Sequence, residues 1–119
     1  MRREVNFYRT KSGKCPTKQF LDNLPGKVAQ KVTWVLQLIE DLDVVPRTYF
    51  SKMPGTEEIW ECRIKLGSNI YRIFAFIDGK EVILTHGIVK KTLKTPRKEI
   101  EQAEKIRREY YSRHKRRRR

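Results

Sequence analysis

The chain has 119 residues and carries 28 Lys and Arg against 14 Asp and Glu, a formal charge of +14. That length suits one domain around one modest core, and the surplus of positive charge favours a polyanionic partner, nucleic acid first. Residues 1–8 include no apolar stretch long enough for a signal peptide or a membrane span, which argues against secretion and insertion.

Residues 5–8 are β-prone and read as an opening strand that gives way to a polar loop at residues 9–14. Pro16 suits a first helical position, and Phe20, Leu21 and Leu24 form a short apolar face before Pro25-Gly26 breaks the run. Over residues 27–43, Val28, Val32, Val35, Leu36, Ile39 and Leu42 recur at steps of about three and four, the pattern of an amphipathic helix. Residues 44–55, ending in Pro54-Gly55, read as a loop. Residues 59–66 alternate, with Trp60, Cys62, Ile64 and Leu66 on one face and Glu61, Arg63 and Lys65 on the other. After a turn at Gly67-Ser68-Asn69, residues 70–77 are apolar except at Arg72 and read as a central strand covered on both faces. Asp78-Gly79 signals a hairpin into a strand at residues 81–89. Thr95-Pro96 then opens a helix whose apolar positions are Ile100, Ala103, Ile106 and Tyr110. The order β-α-α-β-β-β-α predicts an α+β fold, a small antiparallel sheet backed by helices.

Residues 1–112 are expected to form the single domain, and residues 113–119 a basic, disordered tail. The tail holds six of the cations, and without it 22 remain against 14 acidic residues, so the body stays basic at +8. The tail reads equally as a phosphate-binding arm or as an uninformative appendage. Cys15 and Cys62 are too few for a disulfide framework and lack zinc-ligand spacing, so a reduced, cytoplasmic protein is expected, without metal or cofactor.

Several residues are candidates for chemistry. Arg63 and Lys65 lie about 7 Å apart on one strand face, a spacing that can straddle successive phosphates of an RNA strand. A two-residue turn at Ser68-Asn69 would place Arg72 opposite Lys65, so that three cations share a face, whereas a three-residue turn would move Arg72 to the other side. A solvated sheet face with Glu61 as a local ion-pair partner is the plainer alternative. Arg72 in an apolar strand costs several kcal/mol in desolvation unless a bound anion or a carboxylate such as Glu61 or Asp78 compensates it. His86 is a candidate proton-transfer group or a structural residue. Lys90, Lys91 and Lys94 crowd the approach to the last helix, either as a solvated basic loop or around an anion. Lys52 and Tyr71 are further RNA-binding candidates.

The segments Trp60-Glu61-Cys62-Arg63-Ile64-Lys65, Ile70-Tyr71-Arg72-Ile73-Phe74 and His86-Gly87-Ile88-Val89-Lys90-Lys91-Thr92-Leu93-Lys94-Thr95-Pro96, with the Ile100/Ala103 helix, resemble the phage-derived branch of the RelE/HigB toxin superfamily. The likeness spans about residues 5–111. It implies a RelE-like fold and a metal-independent endoribonuclease that enters the ribosomal A site and cleaves mRNA by attack of a ribose 2′-hydroxyl on its own 3′-phosphate. By position, Arg63 and Lys65 resemble the family's basic strand pair, Arg72 its phosphate-stabilising arginine, and Lys90 or Lys91 a further cation. RelE carries a tyrosine in its last element where residues 92–103 here have none, which leaves His86, and less readily Tyr71, to move protons. The resemblance also implies a cognate antitoxin that covers the basic face or displaces the C-terminal helix. A non-catalytic RNA or ribosome binder is the main rival, and a module that docks an acidic protein is another.

Overall fold

The computed structural model describes residues 2–114. The elements run β1 (Glu4–Phe7), α1 (Pro16–Asp22), α2 (Gly26–Asp41), β2 (Phe50–Lys52), β3 (Trp60–Leu66), β4 (Asn69–Asp78), β5 (Glu81–Lys90) and α3 (Arg97–Arg113). Pro16, with its preset φ and no N–H to leave unpaired, starts α1. In α2 the buried residues are Val28, Val32, Val35 and Ile39, one stripe at helical spacing. The Arg3 guanidinium closes the end of that helix by donating to the carbonyls of Ile39 at 3.1 Å and Leu42 at 2.6 Å.

The strands form one sheet in the order β1-β5-β4-β3-β2. From β2 to β5 neighbours are antiparallel, but β1 runs parallel to β5, with Val5 beside Val82 and Phe7 beside Leu84. The fold is therefore α+β with a mixed sheet, which corrects the expectation of a purely antiparallel one. A four-residue strand carries no signal of direction; β1 covers the outer edge of the β3–β4–β5 meander and buries Val5 and Phe7 against the helices. β2 is a second correction, since residues 44–55 read as loop. Its three residues lie between Pro46 and Pro54, and Phe50 enters the core by pairing with Cys62.

α1 and α2 cover one face of the sheet, where Cys62, Ile64, Tyr71, Ile73, Ala75, Val82 and Leu84 join the helix stripe. α3 covers part of the other, through Ala103 against Ile59 and Phe74, and through Ile106 and Tyr110 against Tyr8, Phe76 and Ile83. β4 is thus covered on both sides, as its nearly unbroken apolar sequence requires. A bulge leaves Thr85 without a cross-strand partner: Phe74 pairs with His86 and Ala75 with Leu84. Residues 84 and 86 would share a face in a regular strand, so the extra residue moves His86 to the α3 side.

The last turn of α3 includes Arg113, which bonds the carbonyl of Arg9 at 2.6 Å and pairs with Glu109 at 2.6 Å. α3 itself runs through Arg113 to its cap at His114. The rest of the expected tail, residues 115–119, lies outside the described residues. Among the described residues, no helix is long and apolar enough to cross a membrane.

At Gly87 the ring of Phe20 from α1 lies directly against the sheet backbone. A Cβ placed there would stand 2.4 Å from Cδ2 of Phe20. Gly87→Ala is expected to destabilise the fold by about 1–3 kcal/mol through overpacking, read by urea denaturation, and Phe20→Leu in the same chain should recover part of the loss. Wild-type stability in the single variant would contradict this packing.

Candidate functional site

The alternation of β3 directs Glu61, Arg63 and Lys65 to the face that α3 partly covers, opposite Cys62 and Ile64. The hairpin turns at Gly67-Ser68, where Gly67 takes a φ of +64° that L side chains avoid. Leu66 therefore pairs with Asn69, and Arg72 stands opposite Arg63. This corrects the expected pairing of Arg72 with Lys65 by two residues along the strand, while all three cations keep one face. Lys65 faces Ile70 instead, and Ile70 faces Lys90 on its other side. The two lysines thus sit on one cross-strand row about 10 Å apart at the backbone.

Two guanidinium groups placed directly across a strand pair repel. Glu61 offsets that repulsion. Its Oε1 accepts from Arg63 Nη2 at 2.8 Å and Nε at 3.2 Å, and its Oε2 lies 2.8 Å from Arg72 Nε. The hydroxyl of Thr95 donates to Oε2 at 2.9 Å. Glu61 is 3% exposed, Arg72 0% and the Arg63 side chain 39%, so the centre grades from a dry inner pair to a wet outer cation. Arg72 Nη2 donates to the carbonyl of Leu93, and Nη1 is buried with no hydrogen-bond partner among the described residues. The ion pair at Nε is not aligned as a hydrogen bond. Of the two carboxylates considered from sequence, Glu61 is the one that answers Arg72.

Residues 91–95 cross this centre, bonded to Arg72 through Leu93 and to Glu61 through Thr95. Lys90, Lys91 and Lys94 are exposed and have no carboxylate partner among the described residues. Lys31, from α2, adds a further ammonium at the edge of the face by donating to the carbonyl of Lys65 at 2.9 Å. His86 shares the arginine face, its ring tilted by 32° against Phe74 with centroids 5.0 Å apart. Its Nδ1 lies 3.0 Å from the Thr85 hydroxyl and its Nε2 3.1 Å from Glu99 of α3. Burial lowers the His86 pKa, and the hydrogen bond and charge of Glu99 oppose that shift.

Two candidates are not brought to this face. Tyr71 is buried in the core beneath α2, and its hydroxyl lies 3.4 Å from the Asn69 amide nitrogen that donates to it. Lys52 pairs with Trp60 across the β2–β3 ladder, which sends it to the α2 side. There it lines a cavity of about 380 Å³ together with Val45, Arg47, Phe50 and Trp60. That cavity contains none of the arginine cluster, whose own approach residues 91–95 close. Neither residue therefore shares the arginine face, because odd and even residues of a strand face opposite ways. Cys62 is buried, and its thiol is pushed up to about 12, so it is uncharged at neutral pH.

Sequence reasoning missed Lys31, Leu93 and Glu99, and it read Thr95 as a helix cap. The helix is capped at Pro96 without a side-chain bond, because the Thr95 hydroxyl is engaged by Glu61. No local signal marks this engagement, since Thr95 stands four places before Glu99, one more than a capping box needs.

Residues 19–108, which span the arginine face, β2 and most of α3, match the family described as phage-derived protein Gp49-like (DUF891). The chain belongs to this family. The Gp49-like family is toxin-like and sits within the RelE/HigB-like toxin superfamily, and the α+β fold is compatible with a RelE-like one. No curated protein matches the chain significantly.

Glu61→Ala leaves Arg72 buried without its counter-charge and is expected to cost about 3–5 kcal/mol in urea denaturation. Glu61→Leu combined with Arg72→Met should cost less than Glu61→Ala alone, and additive losses would contradict a shared ion pair. His86 gives a pH signature. Its folded pKa is depressed, so its contribution to stability is present above the unfolded value and lost as pH falls through about 6.5. The melting temperature should fall between about pH 7.5 and about pH 5.5, and His86→Gln should flatten that fall; an unchanged profile would place the sensitivity elsewhere.

Proposed function

We propose that this Gp49-like protein is the toxin of a type II toxin–antitoxin pair, a ribosome-dependent endoribonuclease that cleaves mRNA by attack of a ribose 2′-hydroxyl on the adjacent 3′-phosphate. The observation that carries this reading is the face shared by Arg63 and Arg72 in direct register, rimmed by Lys65, Lys90, Lys91 and Lys94. The reaction needs a nucleotide held in line and cations on the developing phosphorane charge. Arg63 is half-exposed and in reach of a phosphodiester, and the unpaired loop lysines can hold the flanking phosphates. In this chemistry the protein's own cations stabilise the transition state, with no metal or cofactor assigned a role. His86 is the group for proton transfer. Its lowered pKa keeps the ring neutral at pH 7, so one nitrogen can accept a proton once the contact to Glu99 or Thr85 is exchanged.

The antitoxin belongs to the same reading: an acidic partner laid over this rim would neutralise the cations and exclude RNA. A second reading, a non-catalytic RNA or ribosome binder in the cytoplasm, is favoured by one observation. Arg72 is wholly enclosed and both His86 nitrogens are occupied, while the lysines that would supply affinity have no carboxylate partner among the described residues.

Mixed with translating ribosomes, the protein is expected to leave mRNA fragments ending in 2′,3′-cyclic phosphates, and the product of the adjacent gene should suppress them. Lys65→Ala and Lys91→Ala, at exposed positions, should each lower cleavage by about tenfold or more at an unchanged melting temperature. Salt-sensitive RNA binding with no new ends would decide for the binder.

A further inference from the structure

We infer that residues 91–95 form a strap that closes a cryptic oxyanion site on Arg72, and that phosphate bound by the strap's own lysines lifts it. The inference deepens the proposed function and rests on it for the identity of the anion as an RNA phosphodiester. The opening of the strap is a separate physical statement.

Three observations support the strap. Arg72 is 0% exposed, yet its Nη1 has no hydrogen-bond partner among the described residues. A guanidinium offers five donors, and leaving the two on Nη1 buried and unused is costly; a ligand oxygen would use them. What stands over this group is a carbonyl, that of Leu93, which is a weaker partner for a cation than a charged phosphate oxygen. The strap itself is held lightly on this face. Its named anchors are the Leu93 carbonyl on Arg72 and the Thr95 hydroxyl on Glu61, while the Leu93 side chain is 69% exposed and Lys91, Thr92 and Lys94 are exposed. A segment with so little buried surface belongs to the part of a fold that opens locally at low cost.

The lysines supply the direction of the switch. Lys91 and Lys94 lie on the strap and have no carboxylate partner among the described residues, so a polyanion attracts the strap as well as Arg63 below it. A ligand can shift the equilibrium only by its preference for one state. The open state adds Arg72 to the cations that a phosphate meets, so RNA prefers it. The Glu61 contact to Arg63 and Arg72 stays in place while Thr95 swings away, and the two arginines remain aimed at the same point.

Arginine-selective modification by phenylglyoxal, mapped by peptide mass spectrometry, tests this on the full chain without relying on cleavage. Arg72 should react far more slowly than Arg63 in the free protein. Thr95→Val, which keeps the shape and removes the hydroxyl, should raise the Arg72 rate several-fold and leave Arg63 within twofold, and Thr95→Ser should restore protection. A short single-stranded RNA with a non-cleavable 2′-deoxy linkage should protect both arginines together, with Lys91→Ala and Lys94→Ala weakening that protection. Equal reactivity of Arg72 and Arg63 in the free protein, or an Arg72 rate indifferent to Thr95→Val in a variant that melts as wild type, would overturn the strap. A strap that opens in a protein that leaves no cyclic phosphate ends would keep this inference and remove the nuclease.

Discussion

The carboxylate of Glu61 is the contact on which the α3 face depends. Register places Arg63 and Arg72 directly across β3 and β4, an arrangement that repels in water and costs far more when one of the two is dry. Glu61 sits on the same strand face, two residues from Arg63, and gives one oxygen to each guanidinium. Its remaining capacity takes the Thr95 hydroxyl. One buried carboxylate thereby sets two arginine directions and the path of the chain between β5 and α3. The positions of Lys91 and Lys94 follow from that path, so a dry polar centre organises a wet basic rim.

The two faces of the sheet divide the labour of the fold. Beneath α1 and α2 the packing is mainly apolar, from Val32 and Ile39 to Ile73 and Leu84. On the other face α3 supplies apolar cover only where Ala103, Ile106 and Tyr110 reach Phe74 and Phe76. Towards the β3–β4 turn the cover becomes the 91–95 segment, and beneath it lie charges in place of a core. Stability comes from the first face and from the Tyr110 half of the second, where the Tyr110 hydroxyl also bonds Asp78 at 2.9 Å. The arginine end is free to be less rigid because little apolar burial depends on it.

How far the sequence discloses this arrangement follows from the reach of each signal. Helical periodicity at Val28, Val32, Val35 and Ile39 reports burial directly, and α2 lies within two residues of its expected bounds. Arg72 in an apolar strand announces a compensating partner, and Glu61 was one of two carboxylates near enough. The bulge at Thr85 is silent by contrast, yet it alone puts His86 beside the arginines. Bulges and turn registers are decided by small differences in pairing between strands distant in sequence. The face of Lys52 is hidden for a related reason: a three-residue edge strand has no alternation to read, so its face is known only from Trp60 across the ladder. Thr95 offers a helix cap locally, and a carboxylate 34 residues away takes its hydroxyl.

The fate of the Arg72 charge decides between a structural arginine and a working one, and relative magnitudes favour exchange over permanence. In the closed arrangement the group holds half of a carboxylate and one carbonyl. Replacing that carbonyl by a phosphate oxygen exchanges a dipole for a full charge in a poorly screened site, roughly doubling the strength of the hydrogen bond. The opposing costs are desolvation of the phosphate and release of the Thr95 contact, a single neutral-to-charged bond worth about 1.5–3 kcal/mol. Lys91 and Lys94, already unpaired and solvated, lower the first of these by drawing the phosphate in before Arg72 is uncovered. Because that step is long-range and solvent-exposed it is screened by salt, whereas the final contact beneath the strap is not. Ionic strength should therefore act on encounter with a polyanion, and the buried pair on what happens after it.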